Sequence, residues 1–116
     1  MIPIRAALVL ALLSSQAAAQ DWQRLTGDEV TTALTARVLA YDGGQTQNFL
    51  ADGRTLYDAD QPQWGQWRVE GDRYCSVWPP SDRWSCFSVQ REAQGLDLRF
   101  VTEGGTITQG RYVDLQ

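Results

Sequence analysis

The two cysteines, Cys75 and Cys86, constrain the fold of this chain more than any other feature, because each lies in a run typical of a β-strand. The runs YCSVW and WSCFSV are rich in β-branched and aromatic residues, and the segment WPPSDR between them favours a turn. Proline cannot continue the hydrogen-bond ladder of a sheet, so Pro79 and Pro80 mark the loop. The pattern predicts an antiparallel hairpin with Cys75 opposite Cys86.

The same register predicts which side chains of the hairpin share a face. Tyr74 then lies opposite Phe87. Because side chains alternate along a strand, Trp78 shares the face of Tyr74 and Phe87, whereas Trp84 shares the face of the two cysteines. Both faces carry apolar groups, so the hairpin is expected to be central in the sheet or covered on both sides.

Residues 1–19 have the order of features of a secretory signal peptide. Arg5 gives a short positive region, residues 6–13 form an unbroken apolar run, and residues 17–19 are three alanines that suit a signal peptidase. The apolar run is too short to cross a bilayer, which takes about 20 residues. We therefore expect cleavage at the end of this segment. Residues 20–116 would then be a single domain, exported to the periplasm or secreted, with no membrane span.

Export decides the expected chemistry of the cysteines. Disulfides form and persist in oxidising compartments. The spacing is not that of a C-x-x-C redox pair, and a zinc site takes about four ligands, whereas the sequence has no histidine. We therefore expect a structural disulfide between Cys75 and Cys86, and neither a metal nor a cofactor.

The rest of the chain predicts one helix followed by strands. Thr26 and Glu29 have the spacing of a capping box, and apolar residues follow at helical spacing, so we expect a short helix over residues 27–36. Beyond it the apolar pattern has a period of two, interrupted by turn signals. Besides the two strands of the cysteine hairpin, the predicted strands are 36–41, 45–51, 54–58, 64–70, 96–101 and 106–113. About eight short antiparallel strands predict a mainly β meander that forms a small barrel or a sandwich.

Three motifs follow the predicted signal peptide. In chain order they are T-G-D-E-V, F-L-A-D-G-R and G-Q-W-R-V-E-G-D-R-Y-C. In these motifs the chain resembles a family of small exported bacterial proteins of unknown function. The resemblance implies a lipocalin-like barrel with a short helix at one end. The resemblance runs from about Leu25 to Val113, and its matching positions are Gly65, Trp67, Gly71 and Cys75. The resemblance implies the barrel fold and does not imply any particular activity.

The sequence offers little equipment for catalysis. Without histidine, a Ser-His-Asp or Cys-His arrangement is impossible, and no phosphate-loop or dinucleotide motif is present. No basic cluster predicts nucleic-acid binding. Asp52, Asp58 and Asp60 fall near one predicted loop, and a pair of acids can hydrolyse a glycoside, but acids at turns are usually turn formers. We expect a protein that is not an enzyme, with an acid-pair hydrolase as the weakest alternative.

Binding has better support, because the chain has five tryptophans. Trp67 is in phase with Val69 and is expected in the core, as tryptophan is on average a well-buried residue. The candidate binding residues lie elsewhere, at loop edges or beside arginine, the pairing that dominates binding hot spots. They are Trp64, Trp78, Arg83 and Trp84. Two functions stay open: a binding module for a small apolar ligand or a glycan, and an interaction or inhibitor module that presents the loop 78–84 to an envelope protein.

Overall fold

The computed structural model describes residues 21–114, and the predicted signal peptide lies outside them. This part of the chain is mainly β, with one helix and one disulfide, as predicted. In chain order the elements are β1 (Trp22–Arg24), α1 (Gly27–Leu34), β2 (Arg37–Tyr41), β3 (Thr46–Phe49), β4 (Arg54–Asp58), β5 (Pro62–Glu70), β6 (Arg73–Val77), β7 (Ser85–Glu92), β8 (Asp97–Val101) and β9 (Ile107–Tyr112).

Strands β2 to β9 form a closed antiparallel barrel. Each strand pairs with the next along the chain, and β9 pairs back with β2, where Leu39 lies opposite Tyr112. The eight-stranded meander is therefore confirmed as a barrel, and the sandwich alternative is wrong. Closure leaves no open edge between the first and last strands of the meander.

The ninth strand, β1, was not predicted. Strand β7 is long enough to have two partners on one edge: β6 pairs with its first half up to Ser88, and β1 pairs with residues Gln90–Glu92. The segment Trp22–Arg24 has only three residues and no alternation of its own. Its extended conformation comes from this pairing, which is a tertiary contact.

The helix begins where the capping box predicts. The N–H of Thr26 donates to Oε1 of Glu29 at 3.0 Å, and this bond lowers the pKa of the Glu29 carboxyl. The N–H of Gly27 donates to Oδ1 of Asp72 at 2.7 Å, which ties the helix to the turn between β5 and β6. A side chain at Gly27 would overlap the carbonyl oxygen of Gly71, so the close approach requires glycine.

The helix ends at Leu34, two residues before the predicted end. Ala36 has a φ of 60°, in the left-handed region that ends a helix. Its N–H donates to the carbonyl of Phe49 at 2.7 Å. This bond anchors the turn to β3 as the chain passes from α1 into β2.

Helix α1 closes one end of the barrel with apolar side chains. Val30, Ala33 and Leu34 are buried against the barrel interior. Phe49 is fully buried beneath them, and its ring meets that of Trp67 edge-on, with centroids 5.7 Å apart. The prediction that Trp67 belongs to the core is confirmed, and this half of the barrel is a packed apolar core.

One hydrogen bond joins the helix to the last strand. The hydroxyl of Tyr112 donates to the carbonyl oxygen of Ala33 at 2.6 Å, in a buried position. We expect Tyr112→Phe to lower the free energy of unfolding by about 1–3 kcal/mol, because the carbonyl loses its partner and stays buried. Urea unfolding of both proteins measures the difference. An unchanged midpoint would contradict this role for the hydroxyl.

Candidate ligand-binding cavity

The end of the barrel opposite α1 is formed by four connections. Strands β2, β4, β6 and β8 run toward this end, and the chain returns through residues 42–45, 59–61, 78–84 and 102–106. We call it the open end. It contains the Pro-Pro loop of the cysteine hairpin, so the loop singled out in the sequence lies at the mouth of the barrel.

A cavity of about 390 Å³ opens at this end. Aromatic side chains make up most of its wall, because the inward positions of successive strands are aromatic here. They are Tyr41, Tyr57, Tyr74, Trp78, Phe87 and Phe100. Pairs of rings meet edge-on or tilted, such as Tyr57 and Trp78 with centroids 6.0 Å apart. The rings of the wall are therefore inclined to one another rather than parallel at this pair.

Polar side chains complete the cavity. They are Gln45, Gln47, Gln63, Ser76 and Thr108. Gln63 and Thr108 are exposed, whereas Gln47 is buried, so the polar groups run from the mouth to the floor. Every lining side chain among residues 21–114 is an aromatic, an amide or a hydroxyl, so the described wall carries no acidic or basic group.

The floor of the cavity is a buried hydrogen-bond network around Gln47. Its Oε1 accepts from the hydroxyl of Tyr41 at 2.5 Å. Its Nε2 donates to Oγ1 of Thr55 at 2.9 Å and to the hydroxyl of Tyr74 at 3.0 Å. Thr55 in turn donates to the carbonyl of Asn48 at 2.7 Å. Both amide protons of Gln47 are thus used. We call this network the polar belt, and it separates the apolar core from the cavity.

Two tyrosines of the cavity keep their protons at neutral pH. Burial raises the pKa of the Tyr41 hydroxyl, and the neighbouring tyrosines raise it further. Burial likewise raises the pKa of Tyr74, although hydrogen bonds from Ser76 and Gln47 partly oppose the shift. The cavity wall is therefore electrically neutral and its hydroxyls remain able to donate hydrogen bonds.

Two inward-facing glycines make room for the aromatic wall. A Cβ on Gly65 would lie 2.6 Å from the ring of Trp78 and 2.7 Å from the carbonyl oxygen of Val77. A Cβ on Gly110 would lie 3.2 Å from the ring of Tyr41. Glycine at these places lets each ring lie against the backbone of the neighbouring strand.

Of the four predicted binding residues, the structure places Trp78 in the cavity. Its ring is half-buried, and its Nε1 donates to Oγ of Ser76 at 3.2 Å. The predicted face is correct, since Tyr74 and Phe87 line the same cavity. The aromatic and amide residues of the other strands were not identified from the sequence, where period-two alternation alone marks their positions.

The other three candidates are not in the cavity wall. Trp84 is half-buried on the outer face, where the guanidinium of Arg68 stacks on its ring at 3.9 Å. Trp64 is 50% exposed on the same face, with Arg54 at 5.2 Å from its ring. Arg83 is exposed in the loop 78–84. These three do not join Trp78 in one site, and a role for them in contacting a partner stays a prediction.

The hairpin register and the disulfide are confirmed. Cys75 pairs with Cys86 and Tyr74 with Phe87, and the two cysteine Cα atoms are 4.0 Å apart. Oε2 of Glu70 lies 3.3 Å from Sγ of Cys75, so three potential metal-ligand atoms are close together. The two sulfurs are joined to each other, however, and a disulfide lacks the thiolate that binds a metal.

Asp52, Asp58 and Asp60 do not form one cluster, because Asp52 lies apart from the other two. Asp52 precedes β4 and Asp58 ends it, so they lie at opposite ends of the strand. At about 3.3 Å per residue the two are separated by roughly 20 Å, whereas acid pairs in glycosidases are about 5–9.5 Å apart. Asp52 is instead bonded to Arg54, with Oδ2 at 2.8 Å from Nε, and the bonds from Arg54 lower its pKa.

Within residues 21–114, no helix is both long and apolar enough to cross a bilayer. No family model, curated protein or solved structure matches the chain.

Proposed function

We propose that the chain is an exported, non-catalytic protein that binds a small, largely apolar ligand or a glycan at the open end of the barrel. The observation that carries the proposal is the cavity of about 390 Å³ with six aromatic side chains in its wall. Ligand sites in proteins are of this kind: concave, mostly apolar, with a few placed polar groups and volumes of about 300–1,000 Å³.

The chemistry of the wall supports binding rather than catalysis. General acid–base catalysis takes a group that changes its proton near the working pH. Burial raises the pKa of Tyr41 and Tyr74, which moves their titration further from neutral pH. The remaining polar groups are amides and hydroxyls, which suit recognition and orientation of a ligand.

Two further features support export. The Cys75–Cys86 disulfide is the kind of bond that persists outside the reducing cytoplasm. Residues 1–19 carry the features of a signal peptide. The resemblance to small exported proteins with lipocalin-like barrels supports the same proposal, since the mouth of such a barrel is a common place for a ligand.

Titration with N-phenyl-1-naphthylamine, a neutral apolar dye that fluoresces on burial, tests the proposal. We expect saturable binding of one dye per protein. Trp78→Ala should weaken the affinity by about tenfold, since an aromatic contact is worth roughly 0.5–1.5 kcal/mol beyond the area it buries. The dye titration of the two proteins at equal concentration measures the ratio.

Trp22→Ala is the matched control. Trp22 is also half-buried, but it stacks on Arg99 on the outside of the barrel, with 3.9 Å between the guanidinium and the ring. We expect this variant to bind the dye like the parent protein. Equal loss in both variants would place the dye elsewhere, and the absence of saturable binding to the parent would overturn the proposal.

A further inference from the structure

The negative charge of the domain is concentrated at the open end. Residues 21–114 carry fourteen acids and nine arginines, a net of five negative charges. The open end contributes five acids against two arginines, Arg83 in the loop 78–84 and Arg73, which contacts Glu103, and hence three of the five net charges. The acids are Asp42, Asp58, Asp60, Asp82 and Glu103.

Two of these acids directly follow wall residues in the chain and are exposed at the rim of the cavity. Asp42 follows Tyr41 and Asp58 follows Tyr57, and both tyrosines line the cavity. The charge of Glu103 is offset by Arg73, since Oε1 lies 3.7 Å from a guanidinium nitrogen of that arginine. The aspartates at the open end are exposed, so their field acts on a molecule that approaches or protrudes from the mouth.

A neutral aromatic wall beneath an acidic mouth suits a cation. The faces of aromatic rings attract ammonium groups through their quadrupole, most strongly for tryptophan, and quaternary ammonium ligands are recognised by such rings. The wall offers Trp78 and Tyr57 as neighbours, with their rings edge-on to each other and their centroids 6.0 Å apart. Ring faces and acidic mouth therefore favour the same sign of charge in the ligand.

We propose that the ligand of this cavity is an organic ammonium ion with apolar substituents, held by the aromatic wall and attracted by the aspartates of the mouth. This inference rests on the proposed function, because it names the chemical class of ligand for the same cavity. An anion of similar size, such as a fatty carboxylate, meets repulsion at the mouth and finds no cationic partner among the described residues of the wall.

Three probes of similar shape and different charge test which sign of charge the cavity prefers in its ligand. They are benzyltrimethylammonium, its neutral isostere neopentylbenzene, and the anion 3-phenylpropanoate. Each is titrated against the protein loaded with N-phenyl-1-naphthylamine, and loss of dye fluorescence measures binding. We expect benzyltrimethylammonium to displace the dye at the lowest concentration and the anion at the highest. Added salt should weaken binding of the cation and leave binding of the neutral isostere unchanged, since salt screens exposed charges.

A pair of charge-neutralised variants tests the role of the mouth. In Asp58→Asn with Asp60→Asn, we expect the cation to bind roughly fourfold more weakly at low salt, because each exposed charge about 10 Å away contributes roughly a factor of two. The matched control is Asp21→Asn with Asp28→Asn, which changes net charge equally at the other end of the molecule. It should leave cation binding unchanged, and neither variant should alter binding of neopentylbenzene.

The outcomes separate the two proposals. If the parent protein does not bind the dye, or binds it with no dependence on Trp78, the proposed function fails. If the dye binds at Trp78 but the neutral or anionic probe competes as well as the cation, the cavity stands and the ammonium inference fails. Equal effects of the two double variants would likewise overturn a specific role for the aspartates of the mouth.

Discussion

Replacement of Phe49 by alanine is expected to lower the free energy of unfolding by about 3–5 kcal/mol, the usual loss for a buried phenylalanine. Phe49 is fully buried, and its ring meets those of Trp67 and Tyr74 edge-on, with centroids 5.7 and 5.6 Å away. Removing it leaves a void between the helix and the polar belt that surrounding rings cannot fill without leaving their rotamers. Chemical unfolding followed by tryptophan fluorescence measures the loss.

Two comparisons make the result specific. Phe49→Leu keeps most of the volume and should cost much less than the alanine variant. Ile107→Ala removes an apolar side chain that is 51% exposed on β9, and should change stability by about 0.5 kcal/mol or less. A loss for Phe49→Ala no larger than that for Ile107→Ala would contradict the position of Phe49 at the centre of the core.

The double variant Cys75→Ala with Cys86→Ala is expected to be less stable by about 3 kcal/mol. The disulfide closes a loop with a sequence separation of 11, and without it the unfolded chain regains the entropy that the closed loop removes. For a domain of this size the loss corresponds to roughly 12–24 °C in Tm. Thermal unfolding followed by circular dichroism measures it.

The reducing agent dithiothreitol supplies the control. It should lower the Tm of the parent protein toward that of the double variant, and should leave the variant itself unchanged. A double variant that melts within about 3 °C of the oxidised parent would show that the hairpin is held by its strand ladder and packing alone. The barrel would then derive no important share of its stability from the bridge.

Most of the local structure was predictable from the sequence. The capping box at Thr26 and Glu29 sets the start of α1, and the spacing of the cysteines sets the hairpin register, because both depend on residues a few positions apart. The core position of Trp67 followed from its phase with Val69. Predicted ends lie within three residues of the observed ones, with the largest difference at β7, which extends to Glu92 rather than Val89. Only β1, which depends on its pairing with β7, was missed.

The cavity was less predictable, since it depends on residues that are distant along the chain. Alternation in the hairpin placed Trp78 and Trp84 on opposite faces, but alternation gives no sign of which face points inward. Closure of the barrel put Trp78 inside with Tyr57 and put Trp84 outside beneath Arg68. The predicted grouping of Asp52 with Asp58 was wrong for the same reason, since the two are near in sequence but at opposite ends of a strand.

The sequence by itself determined the mainly β character of the domain, its single helix and the partners of its disulfide, because turn chemistry, capping and period-two alternation act over short stretches of chain. The tertiary structure decided that the meander closes by pairing β9 with β2, that Gln47 bonds to Tyr41 and Tyr74 across the interior, and that six aromatic side chains line one cavity. These features depend on strand order and register around the whole barrel, to which every strand contributes and which no single segment encodes.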